Sequence, residues 1–324
     1  MTQENGFKET EIGLIPSGWE VSLLSDDTVA DLIMGQSPPS DTYNQTGDGV
    51  PFMQGKAEFG RVFPNPDKWC TAPSRLAEKN DILMSVRAPV GDVNIAPFKC
   101  AIGRGLAAIR AKDKTMPLYL FFYLTFAKKR LEDKGTGSIF KAINKGVLEN
   151  FKIALPEVGE QKNIVATLFQ VLQTIQHQEK IIEKTKELKK SLMQKLFTEG
   201  LRGDELKETV IGTVPITWNK KDLEQVADIV YGAQAAVAHA LDSSIGTPIF
   251  TNINITNEGQ IDLTTLRYYK VPEKKRDRLM LKKGDILFNW RSGSKEHVGK
   301  TALFELDGEY TFSSFILRFA LPPK

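Results

Sequence analysis

Residues 7–19 read FKETEIGLIPSGW and residues 206–218 read LKETVIGTVPITW. Seven positions coincide at a constant offset of 199: Lys8/Lys207, Glu9/Glu208, Thr10/Thr209, Ile12/Ile211, Gly13/Gly212, Pro16/Pro215 and Trp19/Trp218. Weaker echoes follow in the same order. GVPF from Gly49 parallels GTPIF from Gly246, and NDILMSVRAPVG from Asn80 parallels GDILFNWRSG from Gly284. Asp81-Ile82-Leu83 and Asp285-Ile286-Leu287 lie 204 apart, which implies small insertions. A period of about 200 residues is far longer than a solenoid unit, so it points to a duplicated domain. The second copy starts near Leu206 and runs to Lys324. On this reading it is incomplete, because the segments that close the first copy have no counterpart in it.

Within the first copy, residues 20–110 are expected to form a mixed domain of short strands. Asp81–Val86, Val93–Ile95 and Leu106–Ile109 are short apolar runs bounded by Gly, Pro, Asn or Asp. Residues 117–132, PLYLFFYLTFAKKRLE, are long and apolar enough for one buried helix, with Pro117 in its first turn. The stretch from Gly135 to Pro156 reads as a glycine-bearing loop, a short helix and a strand. Residues 159–198 form the clearest element, since no Gly or Pro occurs between Glu160 and Glu199. Ile164, Leu168, Val171, Ile175, Ile182, Leu188, Leu192 and Leu196 make an apolar seam in steps of three and four, interrupted at Gln178 and Thr185. About 38 residues at 1.5 Å each give a rod of roughly 57 Å. One compact domain cannot cover such a seam, so a partner helix in a coiled coil is expected. Gly200 and Gly203 stop the helix.

The expected fold class is therefore α+β. Two similar mixed α/β domains, residues 1–157 and 201–324, are joined by a long coiled-coil-forming helix over residues 158–200, and the second domain is truncated.

Composition narrows the function. A chain of 324 residues with 41% hydrophobic and 26% charged residues has room for about two packed cores. No apolar run is long enough to span a membrane, and Met1–Lys8 is too polar for a secretory leader. Two cysteines, Cys70 and Cys100, do not make a disulfide scaffold, so a cytoplasmic location is expected. Forty-three basic against 40 acidic residues leave only +3, too little to argue for nucleic acid. Locally the balance differs. Arg267 to Lys283 holds eight basic residues and two acidic ones, a net of +6. A phosphate backbone attracts such a block, and a solvated loop also carries one.

Catalytic constellations are hard to assemble. His177, His239 and His297 have no metal-ligand spacing with cysteine or with one another, so no metal site is expected. Gly299-Lys300-Thr301 resembles the end of a phosphate-binding loop, but Ser294 stands where that loop needs glycine. A nucleotide-binding enzyme acting through this loop is the rival reading. No Asn/Asp-Pro-Pro-aromatic turn of an adenine methyltransferase is present, and no cluster of acids with a nearby lysine suggests a nuclease.

The repeated KETxIGxxPxxW openings, the GDIL-type strands, and IALPEVGEQKNI leading into the long helix together resemble the DNA-specificity subunit of type I restriction–modification systems. The resemblance covers essentially the whole chain, in the family's order of parts. It implies a non-catalytic subunit with two target-recognition domains, each reading half of a split double-stranded DNA site, and helices that set the spacing. It implies as partners modification subunits that use S-adenosylmethionine to methylate adenine, and restriction subunits that use ATP. No cofactor is expected on this chain. The incomplete second copy departs from the pattern. It leaves open a half-length subunit that pairs as a homodimer through the helix, or a truncated regulator of complex assembly.

If the resemblance holds, Arg87 and Arg291 follow matching strands and are expected to face DNA, since arginine suits the guanine edge. A salt bridge at a strand end is the alternative. Lys141 and Lys145 are expected at phosphates, as are Lys274, Lys275, Arg276 and Arg278 in the second domain. Gln36 and Ser37 are loop candidates for bases.

Overall fold

The repeated openings form two hairpins with the same register. In the computed structural model, which describes residues 6–135, 142–234, 246–293 and 297–322, Phe7–Thr10 pairs with Gly13–Pro16 and Leu206–Thr209 with Gly212–Pro215. Both turns use the same chemistry. Thr10 Oγ1 donates to Gly13 O at 2.7 Å, and Thr209 Oγ1 to Gly212 O at 2.7 Å. Gly13 and Gly212 take φ of 106° and 107°, where a side chain would be strained. The shared threonine and glycine are thus what the turn requires.

The likeness extends to the sheets. A four-stranded antiparallel sheet runs Val93–Ile95, Ile82–Ser85, Leu106–Ala111, Ala30–Met34. The second has the order Thr301–Leu303, Ile286–Asn289, Ile316–Ala320, Asp228–Tyr231, again antiparallel throughout. Beside the first, Val50–Met53 lies parallel to Cys100–Ile102. Beside the second, Thr247–Phe250 lies parallel to Thr311–Phe312. Gly35 and Gly232 follow the strands Ala30–Met34 and Asp228–Tyr231 where backbones nearly touch. A Cβ would stand 2.2 Å from Gly103 O in one and 2.3 Å from Ser313 O in the other.

The two NDIL/GDIL stretches make the same turn. Asp81 Oδ2 accepts from Glu78 N and Asp285 Oδ2 from Lys282 N, both at 2.8 Å. The preceding residue has positive φ in each, 74° at Asn80 and 92° at Gly284, which asparagine and glycine tolerate best. Both carboxylates are buried and both face arginine. Arg110 binds Asp81 through two nitrogens at 2.9 and 2.8 Å, whereas Arg318 approaches Asp285 only to 3.9 Å.

The apolar stretch at 117–132 differs from expectation. It forms two helices, Pro117–Phe126 and Lys128–Lys134, with Ala127 between them at φ −80° and ψ 3°. The first is almost wholly apolar and sinks Tyr119, Leu120, Phe121, Tyr123 and Leu124 into the core. The bend lets the charged second helix leave that core while Leu131 stays buried. Tyr119 donates to Ala154 O at 2.7 Å, and Tyr123 Oη accepts from Ala154 N at 2.9 Å, so this helix also holds the strand Lys152–Leu155.

That strand leads into the long helix, Val158–Glu199, whose 42 residues span about 63 Å. Its root is built into the first core. Gln161 is fully buried; its Oε1 accepts from Met116 N at 2.8 Å and its Nε2 donates to Lys114 O at 2.7 Å and Pro156 O at 2.9 Å. Val165 is buried, and Ile164 and Leu172 pack against the same cluster. Farther on, Arg61 reaches Glu179 at 2.6 Å. The seam then lies open: Leu168, Val171, Ile175, Ile182, Leu188, Leu192 and Leu196 are between 38% and 58% exposed. Gly200, at φ 70°, closes the helix and donates its N–H to Leu196 O. Contacts divide the chain into Met1–Lys189 and Lys190–Lys324, a boundary inside the helix.

Candidate nucleic-acid interface

Strand ends of both sheets meet along one rim of the first unit. Gln36 follows the strand Ala30–Met34 and donates its N–H to Ile102 O at 3.0 Å. Ser37 Oγ accepts from Arg104 N at 3.3 Å. Gly103 N bonds Met53 O, which brings Gln54 alongside, and Val86 N bonds Gly105 O at 2.9 Å, which brings Arg87. Ile143 N closes the array on Val86 O. Gln36, Gln54, Arg87 and Arg104 are exposed. Among the described residues neither arginine has an acidic partner. The sequence candidates Gln36, Ser37 and Arg87 therefore lie at the same end of the sheet, after the two strands that flank Leu106–Ala111. Lys145 begins the short helix Lys145–Glu149, capped by Asn144, with its ammonium 3.1 Å from Glu149. Lys141 lies outside the described residues.

The second unit builds its own rim from the same hydrogen bonds. Ala233 N bonds Phe312 O, Ser313 N bonds Phe250 O, and Trp290 N bonds Phe315 O at 3.3 Å. Arg291 thus holds the place of Arg87, while Ala233 stands for Gln36 and Ser314 for Arg104. The basic block forms the turn Glu273–Lys275 and the short helix Arg276–Leu279. Its end is tied to the neighbouring strand, since Thr311 Oγ1 donates to Leu279 O and Leu281 N to Tyr310 O. Arg276 is engaged by Glu309, and Lys283 by Asp307 at 2.6 Å. Lys274, Lys275 and Arg278 remain exposed, without an acidic partner among the described residues. Of the four candidates here, Arg276 is the least free to meet a ligand.

Behind the first rim, Asp92 clamps the loop that follows Gln54. Lys56 and Lys128 each approach it at 2.7 Å. Partial burial opposes ionisation, but the two ammonium groups outweigh it and hold the Asp92 carboxyl below its ordinary range. A carboxyl held low in the folded state adds stability above its unfolded pKa, about 4, and loses it as pH falls through the lower folded value. Asp92→Asn is expected to cost about 1 kcal/mol at pH 7, with the difference from the parent shrinking once the pH is taken below about 4. Urea denaturation at both pH values measures this; an equal difference at both would contradict it.

Gly299-Lys300-Thr301 is not a phosphate loop. Gly299, at φ 92°, bonds Asn289 O and leads into the strand Thr301–Leu303. Gly91, at φ 84°, makes the same turn onto Ser85 O ahead of Val93–Ile95. A strand follows where a phosphate loop needs a helix N-terminus, so the nucleotide-binding reading is withdrawn. Ser294 and His239 lie outside the described residues. Cys70 and Cys100 are free and buried, and burial, reinforced by the nearby Asp81 and Glu78 charges, pushes the Cys100 thiol up to about 12. Among the described residues no group of three or more His, Cys, Asp and Glu could hold a metal, and no helix is long and apolar enough to cross a membrane.

Residues 16–187 match the model of the type I restriction modification DNA specificity domain. The chain belongs to this family. Among its relatives, the MjaX specificity subunit of Methanocaldococcus jannaschii is 48% identical over 201 residues, covering 62% of this chain and 47% of that protein. The MjaVIII specificity subunit of the same organism is 27% identical over 290 residues, 88% of this chain and 66% of that one. The chain thus spans about half to two thirds of the length of these curated relatives. The HsdS subunit from Thermoanaerobacter tengcongensis is 40% identical over 60% of this chain and 48% of its own, with a TM-score of 0.47. The type I S subunit from M. genitalium shares the fold over 99% of this chain and 74% of its own, at 15% identity and a TM-score of 0.54.

Two rim residues of this family member escape a reading of its sequence. Gln54 and Arg104 reach the rim only through the parallel pairing of strands about fifty residues apart. In Gly103-Arg104-Gly105 nothing local says what the arginine faces.

Proposed function

We propose that this chain is a non-catalytic DNA-reading subunit that directs a type I adenine methyltransferase and restriction complex to a bipartite double-stranded site. The reading is carried by one observation: an exposed arginine, Arg87 or Arg291, without an acidic partner among the described residues, at the same point of a rim built twice by the same strand order. Phosphate contacts position such a reader and base-edge contacts specify. Arg87, Gln36 and Ser37 supply base-edge donors and acceptors in the first unit, and Lys145 and Lys141 contact phosphates. Arg291 serves the second, with Lys274, Lys275 and Arg278 at the backbone. Residues 1–157 and 201–324 act as target-recognition domains and 158–200 as the spacer. The partners are modification subunits carrying S-adenosylmethionine and restriction subunits using ATP, in the cytoplasm. Co-expression with a type I modification subunit, followed by sequencing of methylated adenines, tests this. A defined methylated motif that depends on this chain is the expected result; methylation without sequence preference would refute it.

The open seam supports a second reading for assembly, in which two copies pair through their long helices, as a half-length specificity subunit or as a regulator of the complex. Leu188 and Leu192 are 58% and 45% exposed. Replacing both with lysine puts charge into the seam and is expected to convert a self-associated species to monomer. Light scattering reads the mass; an unchanged mass would contradict pairing through this seam.

A further inference from the structure

The two rims are built alike but offer different chemistry. At Met34, Val86 and Gly105 of the first, the second has Tyr231, Trp290 and Phe315. These three aromatics are 49%, 37% and 42% exposed. Tyr231 and Trp290 meet edge to face with centroids 5.6 Å apart. The indole N–H of Trp290 donates to Ser314 O at 2.9 Å. The one polar atom of that side chain is therefore used within the protein, and what it presents outward is purely apolar. Arg291 follows it directly, and the second unit also carries the exposed Lys274, Lys275 and Arg278, without an acidic partner among the described residues.

An exposed aromatic cluster marks a binding surface. Arg291 beside it, and the exposed Lys274, Lys275 and Arg278 of the same unit, none with an acidic partner among the described residues, point to a polyanion rather than to a neutral partner. A polyanion with apolar features at its readable edge is duplex DNA, and in the major groove only thymine presents one, its 5-methyl group. We propose that Trp290, with Tyr231 and Phe315, is the specificity element of the second unit and reads thymine methyl groups, while the first unit reads purine edges through Arg87, Arg104, Gln36 and Gln54. This inference rests on the DNA-reading function proposed above.

The test uses the full chain in complex with the modification subunit and duplexes carrying the methylated motif. Each thymine is replaced in turn by uracil, which removes only the methyl group, and affinity is read by fluorescence anisotropy. In one half of the motif at least one replacement is expected to weaken binding about four-fold, the worth of one buried methyl. Trp290→Ala makes that replacement silent and leaves the other half unaffected, whereas Trp290→Phe keeps the discrimination. A half-motif without A·T pairs, no uracil effect in the unaltered complex, or a uracil effect that survives Trp290→Ala would overturn the inference. A complex with no sequence preference would instead defeat the functional reading, and this inference with it.

Discussion

A Gln161→Leu variant is expected to unfold with about 3 kcal/mol less free energy than the parent chain. Leucine fills the same volume, so no cavity explains the loss. What disappears is the side-chain amide that serves Met116 N, Lys114 O and Pro156 O at once. Each buried backbone group left without a partner costs about 1–3 kcal/mol, and partial access of water at Lys114 keeps the sum toward the lower end. The site matters beyond stability. Gln161 fixes the first turn of the long helix to the core, so its loss frees the rod at its root. Urea denaturation reads the effect, and a midpoint within experimental error of the parent would contradict this role.

Removing the rim arginines is expected to have the largest effect on DNA. A bidentate arginine contact to guanine discriminates by about 1–3 kcal/mol, so Arg87→Ala or Arg291→Ala weakens binding to the cognate site roughly ten-fold or more. The salt dependence changes little, because a base contact releases few counterions. Lys274→Ala with Lys275→Ala gives the opposite pattern. Affinity falls alike on cognate and unrelated DNA, and the slope against salt drops by about 2. Anisotropy titrations at several salt concentrations separate the two. An arginine variant that loses cognate and unrelated binding equally would show Arg87 or Arg291 to be a phosphate contact.

Features set by local chemistry are readable from the chain. The Thr-x-x-Gly turns of the two hairpins and the buried aspartates after Asn80 and Gly284 need particular residues at fixed spacing, so their repetition exposes the paired architecture. The long helix is legible because it lacks Gly and Pro and keeps one apolar seam. The break at Ala127 is not, since an almost wholly apolar segment has no periodicity to lose. Gln161 reads as one more polar residue of a solvated rod, yet it is wholly buried. Arg87 and Arg291 announce themselves by following matched strands. Arg104 and Gln54 depend on the pairing of Val50–Met53 with Cys100–Ile102, a contact without local signature.

Sequencing of methylated DNA made with Arg87→Ala and Arg291→Ala, each in separate complexes, bears most directly on the claim that one chain carries two matched readers. The expected parent motif is split into two short blocks around an unspecified gap, with Arg87→Ala relaxing bases in one block only and Arg291→Ala in the other only. A single uninterrupted motif, or both substitutions relaxing the same bases, would contradict the claim.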